Sequence, residues 1–406
     1  MARAFDILIV GGGQAARRAA EGARAVAPEA SIAIVGEETH PPYDRPPLSK
    51  EILLGKADAS LCCKRDAASF AADRIELILG TRVAALHLND HKIETASGER
   101  IGYGKLIIAT GSRARSLPAP AAIADKVLTL RTIDDATRVA AHLHEGAHIV
   151  VIGAGFIGLE AASAARARGA RVTVLEAADR VLGRVFPIEA AARVERLHRD
   201  AGVDLRLGAK LDEIAPDGGR VRVSVGAEKL LADLVVVGIG IIPNTELARA
   251  AGLAVDDGVV VSAEGATSHA DVFAAGEVTR HPVRGASAMR IESWQVAELQ
   301  ADAAGRSAAG APTAYDAIPY FWSDQYGVNM QMFGLIRPDG AILVRAAGES
   351  ALIFSIGADG RIAGAIGFNA GADMSIAKRM IGAPAPVGLE DAATPLRKLL
   401  RAGATA

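Results

Sequence analysis

The feature that most constrains this chain is a repeated unit of strand, glycine turn and helix. Residues 5–37 run from an apolar strand (FDILIV) through the turn GGGQAA into an Ala-rich helix. A second strand (SIAIV) follows and ends on Glu37 and Glu38. Residues 148–176 repeat the plan as HIVVI, GAGFIG, an Ala-rich helix, RVTVL and then Glu176. Each unit switches from a continuous apolar run to a helical period. That pattern predicts two βαβ units and an α/β chain built on parallel sheet.

Glycine at those turns has a chemical reading. A helix N-terminus turns unpaired N–H groups and the positive end of its dipole outward, which suits a pyrophosphate. Side chains there would block the approach, and the turn calls for dihedrals that glycine adopts freely. The second turn is complete, Gly153-x-Gly155-x-x-Gly158, with Glu176 eighteen residues after the last glycine. The first reads Gly11-x-Gly13-x-x-Ala16, with Glu37 or Glu38 at the matching strand end. Its third position governs packing of helix on strand and tolerates alanine.

A lone glycine turn is often only a turn. Two of them about 140 residues apart, each with strand, helix and acidic strand end in place, predict two dinucleotide sites. An acid at that strand end accepts hydrogen bonds from a free ribose 2′-OH and repels a 2′-phosphate. Glu176 therefore points to NADH over NADPH, with Arg180 as the one feature against it.

Charge and sulfur exclude other classes. Of 406 residues, 45 are basic and 47 acidic, a balance that suggests neither nucleic acid nor an anionic membrane as partner. No apolar run approaches the ~18–20 residues of a bilayer-spanning helix. The opening MARAFDILIVGGG is broken by Asp6 and glycines where a leader peptide needs an apolar stretch, so a cytoplasmic protein is expected. The only cysteines, Cys62 and Cys63, are adjacent. They exclude a disulfide framework and a Cys-based metal site of ordinary spacing, and no metal is expected. Bonded to each other they would close only a strained ring, so they read as small buried hydrophobes.

More specific runs surround the glycine turns. They are YDRPPLSK (43–50), LCCKR (61–65), LIIATGSRAR (106–115), LRTIDDA (130–136), IGAGFIGLE (152–160), VVGIGIIPN (236–244), DVFAAGEVTR (271–280), RIESWQVA (290–297) and FWSDQ (321–325). On these the chain resembles, over essentially its whole length, the FAD-dependent NADH:ferredoxin reductases of bacterial oxygenase systems, of biphenyl-dioxygenase and putidaredoxin type. The resemblance implies a fold of glutathione reductase type with two Rossmann-like domains. The FAD-binding domain is split into 1–112 and 243–318, an NAD-binding domain occupies 113–242, and a C-terminal α+β domain occupies 319–406. From about Pro319 the composition itself shifts to short β-type segments with turn signals, RPDG and GADG, and a helical tail.

The same resemblance assigns site residues. Beside Gly11, Gly13 and Ala16 of the first turn, it places Ala15, Glu37, Arg45, Lys50, Val83, Ala109, Arg131, Glu277, Trp294 and Trp322 at FAD. At NAD, with Gly153, Gly155, Gly158 and Glu176, it places Phe156, Ile157, Glu160, Gly238, Ile239 and Gly240. Lys50 is expected beside flavin N5, paired with Glu160, as the pair on which the chemistry turns. A buried lysine needs such a carboxylate, since an unpaired buried charge is costly. Glu277 departs from the pattern, which has GD where this chain has GE. Trp294 and Trp322 are expected around the isoalloxazine, where aromatic walls suit a flat ring.

Disulfide reductases of this fold carry a Cys pair early in the FAD domain, where this chain reads PPYDRPPLSK. Without a thiol relay, electrons are expected to leave the flavin directly, one at a time, to a [2Fe-2S] ferredoxin that feeds a terminal oxygenase. Such carriers are acidic, so a basic docking face is expected among Lys64, Arg65, Arg290, Arg306, Arg337, Arg397, Lys398 and Arg401. The alternatives are a rubredoxin reductase, an NADH oxidase or quinone reductase, and, from another class, a redox-controlled scaffold flavoprotein like apoptosis-inducing factor. A monomer or homodimer is expected.

Overall fold

The computed structural model describes residues 3–337 and 340–403. It divides into two compact units, one made of residues 1–45, 60–113 and 242–319 and the other of 46–59, 114–241 and 320–406. Residues 46–59, expected with the first FAD segment, thus belong to the second unit. The segments expected as NAD-binding and C-terminal domains share that unit.

In the first unit, Ala4–Val10 pairs in parallel with Ile32–Val35 on one side and Arg100–Ile108 on the other. Ile75–Ile78 extends the Ile32–Val35 side in parallel. Lys92–Thr95 and Val83–His87 continue beyond Arg100–Ile108 as antiparallel strands. A late strand, Val272–Ala274, returns to pair in parallel with residues 106–108. The continuous apolar runs follow from burial on both faces. Leu8 and Val10 join one core with Ile93 and Val272, while Ile7 and Ile9 join another with Ala16, Ala19 and Ala304.

That second core explains the alanine and glycine content of the helices. Helix Gln14–Val26 packs against Ala301–Ala308 with backbones nearly touching. A Cβ on Gly22 would lie 2.5 Å from the Asp302 carbonyl oxygen, and one on Gly305 would lie 2.0 Å from that of Ala19. Just before this second helix, Val296–Gln300 forms a π-helical turn. The Gln300 side chain, at the end of that turn, accepts the N–H of Gly276 at 2.7 Å.

In the second unit, a five-stranded parallel sheet has the order Asp204–Arg206, Arg171–Leu175, His148–Ile152, Leu234–Val237, Val127–Thr129. An antiparallel meander, Glu213–Asp217, Arg220–Val225 and Glu228–Ala232, shares its core through Val221, Val223 and Leu230. The C-terminal part is a five-stranded antiparallel sheet, Tyr320–Gln325, Val328–Gly334, Ile362–Phe368, Ser350–Ile356 and Ala341–Ala347 in spatial order. Met374, Ile376, Leu396 and Leu399 of two helices cover it. The GADG turn is closed by the Gly360 N–H on the Gly357 carbonyl at 2.9 Å. Pro338 and Asp339 of the RPDG turn lie outside the described residues. No helix among the described residues is long and apolar enough to cross a membrane.

Candidate functional site

Both glycine turns are built as anion cradles. Gly11 has φ +124°, and a Cβ there would strike the Ala109 carbonyl oxygen at 2.1 Å, so only glycine fits. Gly13 caps helix Gln14–Val26 without any side-chain cap, and a Cβ on it would meet nothing within 4 Å. The space over Gly13, at a helix N-terminus whose first N–H groups have no intrahelical partner, is therefore open. A dinucleotide phosphate fits there, since backbone donors are presented and nothing from the chain fills the approach. Ala15 and Ala16 are buried beneath.

The second cradle repeats the construction. A Cβ on Gly153, at φ +101°, would fall 2.4 Å from the Gly238 carbonyl oxygen, and one on Gly158 would fall 2.1 Å from that of Gly153. Gly155 caps helix Phe156–Ala167, again with no side-chain cap. The smallness of Gly158 and Gly238 thus serves close packing of helix on strand. Ile157, in the first turn, is 43% exposed, whereas Phe156 packs against Phe321 and Phe186 with ring centroids 4.3 and 5.4 Å apart. The turn after Leu234–Val237 continues through Ile239 to Gly240, whose Cβ would lie 3.5 Å from Arg184 Nη2 and 3.9 Å from Arg115 Cδ. Those two arginines were not singled out in the sequence, where nothing local distinguishes them.

The acidic strand ends differ. Glu176 accepts N–H groups from Ala154 at 2.7 Å and Ala178 at 2.8 Å, which ties it to the second glycine turn. Arg180 is turned to the Gly183 carbonyl at 3.0 Å. In the first unit, Glu38 accepts from the Tyr43 hydroxyl at 2.6 Å and from Arg45 at 3.1 Å, and Arg45 also stacks on the Tyr43 ring. Glu37 points outward, 3.9 Å from Arg82.

Among the other candidates in the first unit, Ala109 lies beside the first turn, as does Gly276, the neighbour of Glu277. Gly276 stands so close to Ala15 that its Cβ would lie 2.7 Å from that of Ala15, so Glu277 is carried toward the start of the helix. Glu277 accepts from the Ser112 hydroxyl at 2.9 Å. Ala109 follows Arg100–Ile108 directly, and Val83 is buried in its strand. The Trp294 ring lies under the Lys64 ammonium at 4.7 Å.

Three FAD candidates, Lys50, Arg131 and Trp322, belong to the second unit. There Lys50 Nζ is 2.9 Å from Glu160 Oε2, with Glu160 only 3% exposed. The hydroxyls of Ser49 and Ser323 donate to the same carboxylate. Glu160 was expected both as partner of Lys50 and at NAD; its oxygens are committed to these three donors. The Arg131 N–H bonds Asp135 at 3.1 Å, and Trp322 stacks with Tyr320 at 5.8 Å.

Neither cysteine is in a disulfide; Cys62 is wholly buried, and burial pushes the Cys63 thiol up from its ordinary range. A raised thiol carries less of the nucleophilic thiolate, so Cys63 lacks the environment of a redox cysteine. Several of the basic residues expected at a docking face are engaged in ion pairs. Lys64 pairs with Asp44 at 2.7 Å, Arg65 with Glu21 and Asp73, and Arg306 with Asp302. The Arg290 side chain, 10% exposed, pairs with Asp257 at 3.5 Å and Glu292 at 2.7 Å, so its charge is compensated locally. Arg337 is half-buried and Lys398 is exposed. Arg397 and Arg401 line a groove of about 530 Å³ with Arg379, Leu400 and Ile376.

Comparison with known proteins follows this geometry. The family described as pyridine nucleotide-disulphide oxidoreductase matches residues 5–301, and the reductase C-terminal family matches 320–400. The ferredoxin–NAD(+) reductase component of the anthranilate 1,2-dioxygenase system of Burkholderia cepacia is 43% identical over 405 residues, covering 98% of this chain and 100% of that one. Putidaredoxin reductase of Pseudomonas putida is 36% identical over 410 residues, covering 98% and 97%. The crystal structure of the covalent putidaredoxin reductase–putidaredoxin complex superposes with a TM-score of 0.93 at 35% identity, over 98% of this chain and 99% of that one. The chain therefore belongs to the pyridine nucleotide-disulphide oxidoreductases, in the branch of FAD-dependent ferredoxin reductases from bacterial oxygenase systems.

Proposed function

We propose that this protein is an NADH-dependent ferredoxin reductase of an oxygenase system. It takes one hydride from NADH and delivers two single electrons to two oxidised [2Fe-2S] ferredoxins, releasing NAD⁺ and one proton. The supporting observation is the full-length likeness to a ferredoxin–NAD(+) reductase component, in a chain that keeps both glycine cradles. Bound FAD supplies the chemistry, accepting electrons in a pair and releasing them singly.

The chain's own residues bind and orient. The first cradle holds the FAD pyrophosphate, and Glu37 takes its ribose, because Glu38 is already occupied by Tyr43 and Arg45. The second cradle holds NADH, with Glu176 at the ribose diol. Lys50, anchored by Glu160, offers a fixed positive charge and donor to the flavin ring. By resemblance, Trp294, Trp322 and Glu277 would also serve FAD, the tryptophans at its ring and Glu277 at its ribityl chain. The use of a pyridine nucleotide, in a chain whose two cysteines form no disulfide, suits the cytoplasm.

The groove lined by Arg379, Arg397 and Arg401 is the docking ground for an acidic ferredoxin. NADH-dependent reduction of cytochrome c, with and without ferredoxins from the same genome, tests the function. It should depend on a ferredoxin, fall as salt rises, and weaken on charge reversal at Arg397 and Arg401 while ferricyanide reduction stays unchanged. Equal rates without any ferredoxin would favour an oxidase or quinone reductase. Slow turnover with every acceptor and an NADH-driven change in association would favour a scaffold. A Cys62→Ala, Cys63→Ala double variant should retain turnover.

A further inference from the structure

Behind Glu160 lies a chain of buried polar groups that nothing described so far uses. Ser323 and Gln325 are two apart on strand Tyr320–Gln325 and so share one face. The Ser323 hydroxyl is 2.5 Å from Glu160 Oε1, and Gln325 Nε2 is 3.0 Å from the Ser323 oxygen. Gln325 Oε1 is 2.7 Å from Nε2 of His198, on helix Ile188–Asp200. The Tyr326 hydroxyl closes the series, 3.3 Å from His198 Nδ1. Ser323, Gln325 and His198 are at most 1% exposed.

The direction of every bond in this chain is dictated from one end. A carboxylate only accepts, so Ser323 must donate its single hydrogen to Glu160. Its oxygen is left as the acceptor for Gln325, which turns the amide NH₂ toward Ser323 and the carbonyl toward His198. His198 must then carry its hydrogen on Nε2, leaving Nδ1 to accept from Tyr326. Burial pushes the His198 pKa down to about 4, consistent with a neutral ring in one tautomer. An amide in the middle does not hand on protons as a hydroxyl or imidazole does. The arrangement is therefore suited to holding groups in place and unsuited to conducting protons.

We propose that Ser323, Gln325 and His198 act as a one-way clamp that fixes the Glu160 carboxylate and, through it, the Lys50 ammonium, which makes them positioning residues for flavin reduction by NADH. This rests on the reading of Lys50 as the flavin's partner.

Two measurements on the FAD-loaded protein test it. Nitrogen-15 NMR of labelled histidine, with His198 assigned by its loss in His198→Gln, should show the Nε2–H tautomer. Hydrogen on Nδ1 would overturn the clamp whatever the enzyme's activity. In stopped flow, Ser323→Ala should slow flavin reduction at saturating NADH at least about tenfold, the scale of a hydrogen bond to a charged group. FAD content and the KM for NADH should not change, and Ser323→Thr, which keeps the hydroxyl, should restore the rate. Should Ser323→Ala fold poorly, Gln325→Glu removes the donor to Ser323 at constant size and should give the same slowing. Unchanged rates in these variants, beside a slow Lys50→Met, would sink the clamp and leave the proposed function standing. Unchanged rates in Lys50→Met as well would remove the premise.

Discussion

The carboxylate of Glu176 accepts the backbone N–H of Ala154 at 2.7 Å, so the acid ending one strand is fastened to the glycine turn that ends its neighbour. Its second oxygen takes the Ala178 N–H. The acid is thereby oriented before any coenzyme arrives, and a 2′-phosphate brought to it would meet fixed negative charge.

NADH should accordingly exceed NADPH in kcat/KM by at least about 10-fold, or ~1.4 kcal/mol of transition-state binding. Glu176→Ala should narrow the gap by raising the KM for NADH. Steady-state kinetics with both coenzymes check this; equal efficiency in the unmodified protein would refute the assignment.

Lys50→Met leaves the buried Glu160 with only hydroxyl donors, and breaking a buried pair costs about 3–5 kcal/mol. Melting temperature should fall, and flavin reduction by NADH should slow by about 10-fold or more. Adding Glu160→Gln should recover much of the stability and none of the rate. Recovery of both would mean that the pair serves the fold alone.

Gly305→Ala should separate the two helices of the first unit, because its Cβ would overlap the Ala19 carbonyl at 2.0 Å. Overpacking of this kind costs about 1–3 kcal/mol, and FAD retention should drop with it. Gly371→Ala, where a Cβ meets nothing within 4 Å, is the control and should be neutral. Flavin release on gel filtration and thermal melts read both.

Burial holds His198 and His281 at pKa values of about 4, below their ordinary 6.5. Between those values the unfolded chain binds protons that the folded chain refuses, so stability rises with pH across that window and is lost as pH falls through it. The slope is about 1.4 kcal/mol per pH unit for each ring. Melts from pH 7.5 down to 4.5 should show it, and His281→Gln should flatten the decline. A melting temperature constant down to pH 4.5 would show that the rings do not resist protonation.

The two nucleotide units were legible because each is local: strand, turn, helix and acidic end lie within about thirty residues, and their periodicities change in order. Lys50 with Glu160 was reached only through resemblance, since 110 residues separate them and neither looks unusual in its segment. Ser323 and Gln325 sit at strand spacing, which is a signal, but His198 reads as one more polar position on an amphipathic helix. For Arg290 the sequence shows the charge and conceals the carboxylates, Asp257 and Glu292, that pair with it. The placement of residues 46–59 was hidden for a similar reason: partners such as Glu160 and Arg168 come later in the chain.

The late return of Val272–Ala274 to residues 106–108 also sets a timetable for synthesis. When the earlier strand leaves the ribosome, its partner is still about 160 residues away, roughly 8–30 s at ordinary elongation rates. Throughout that interval Leu106, Ile107 and Ile108 present an unpaired apolar edge, the kind that templates aggregation. The first unit cannot close until residues near 319 have been made. Yield in a recombinant host should therefore depend on chaperone supply and growth temperature more than on the stability of the finished protein.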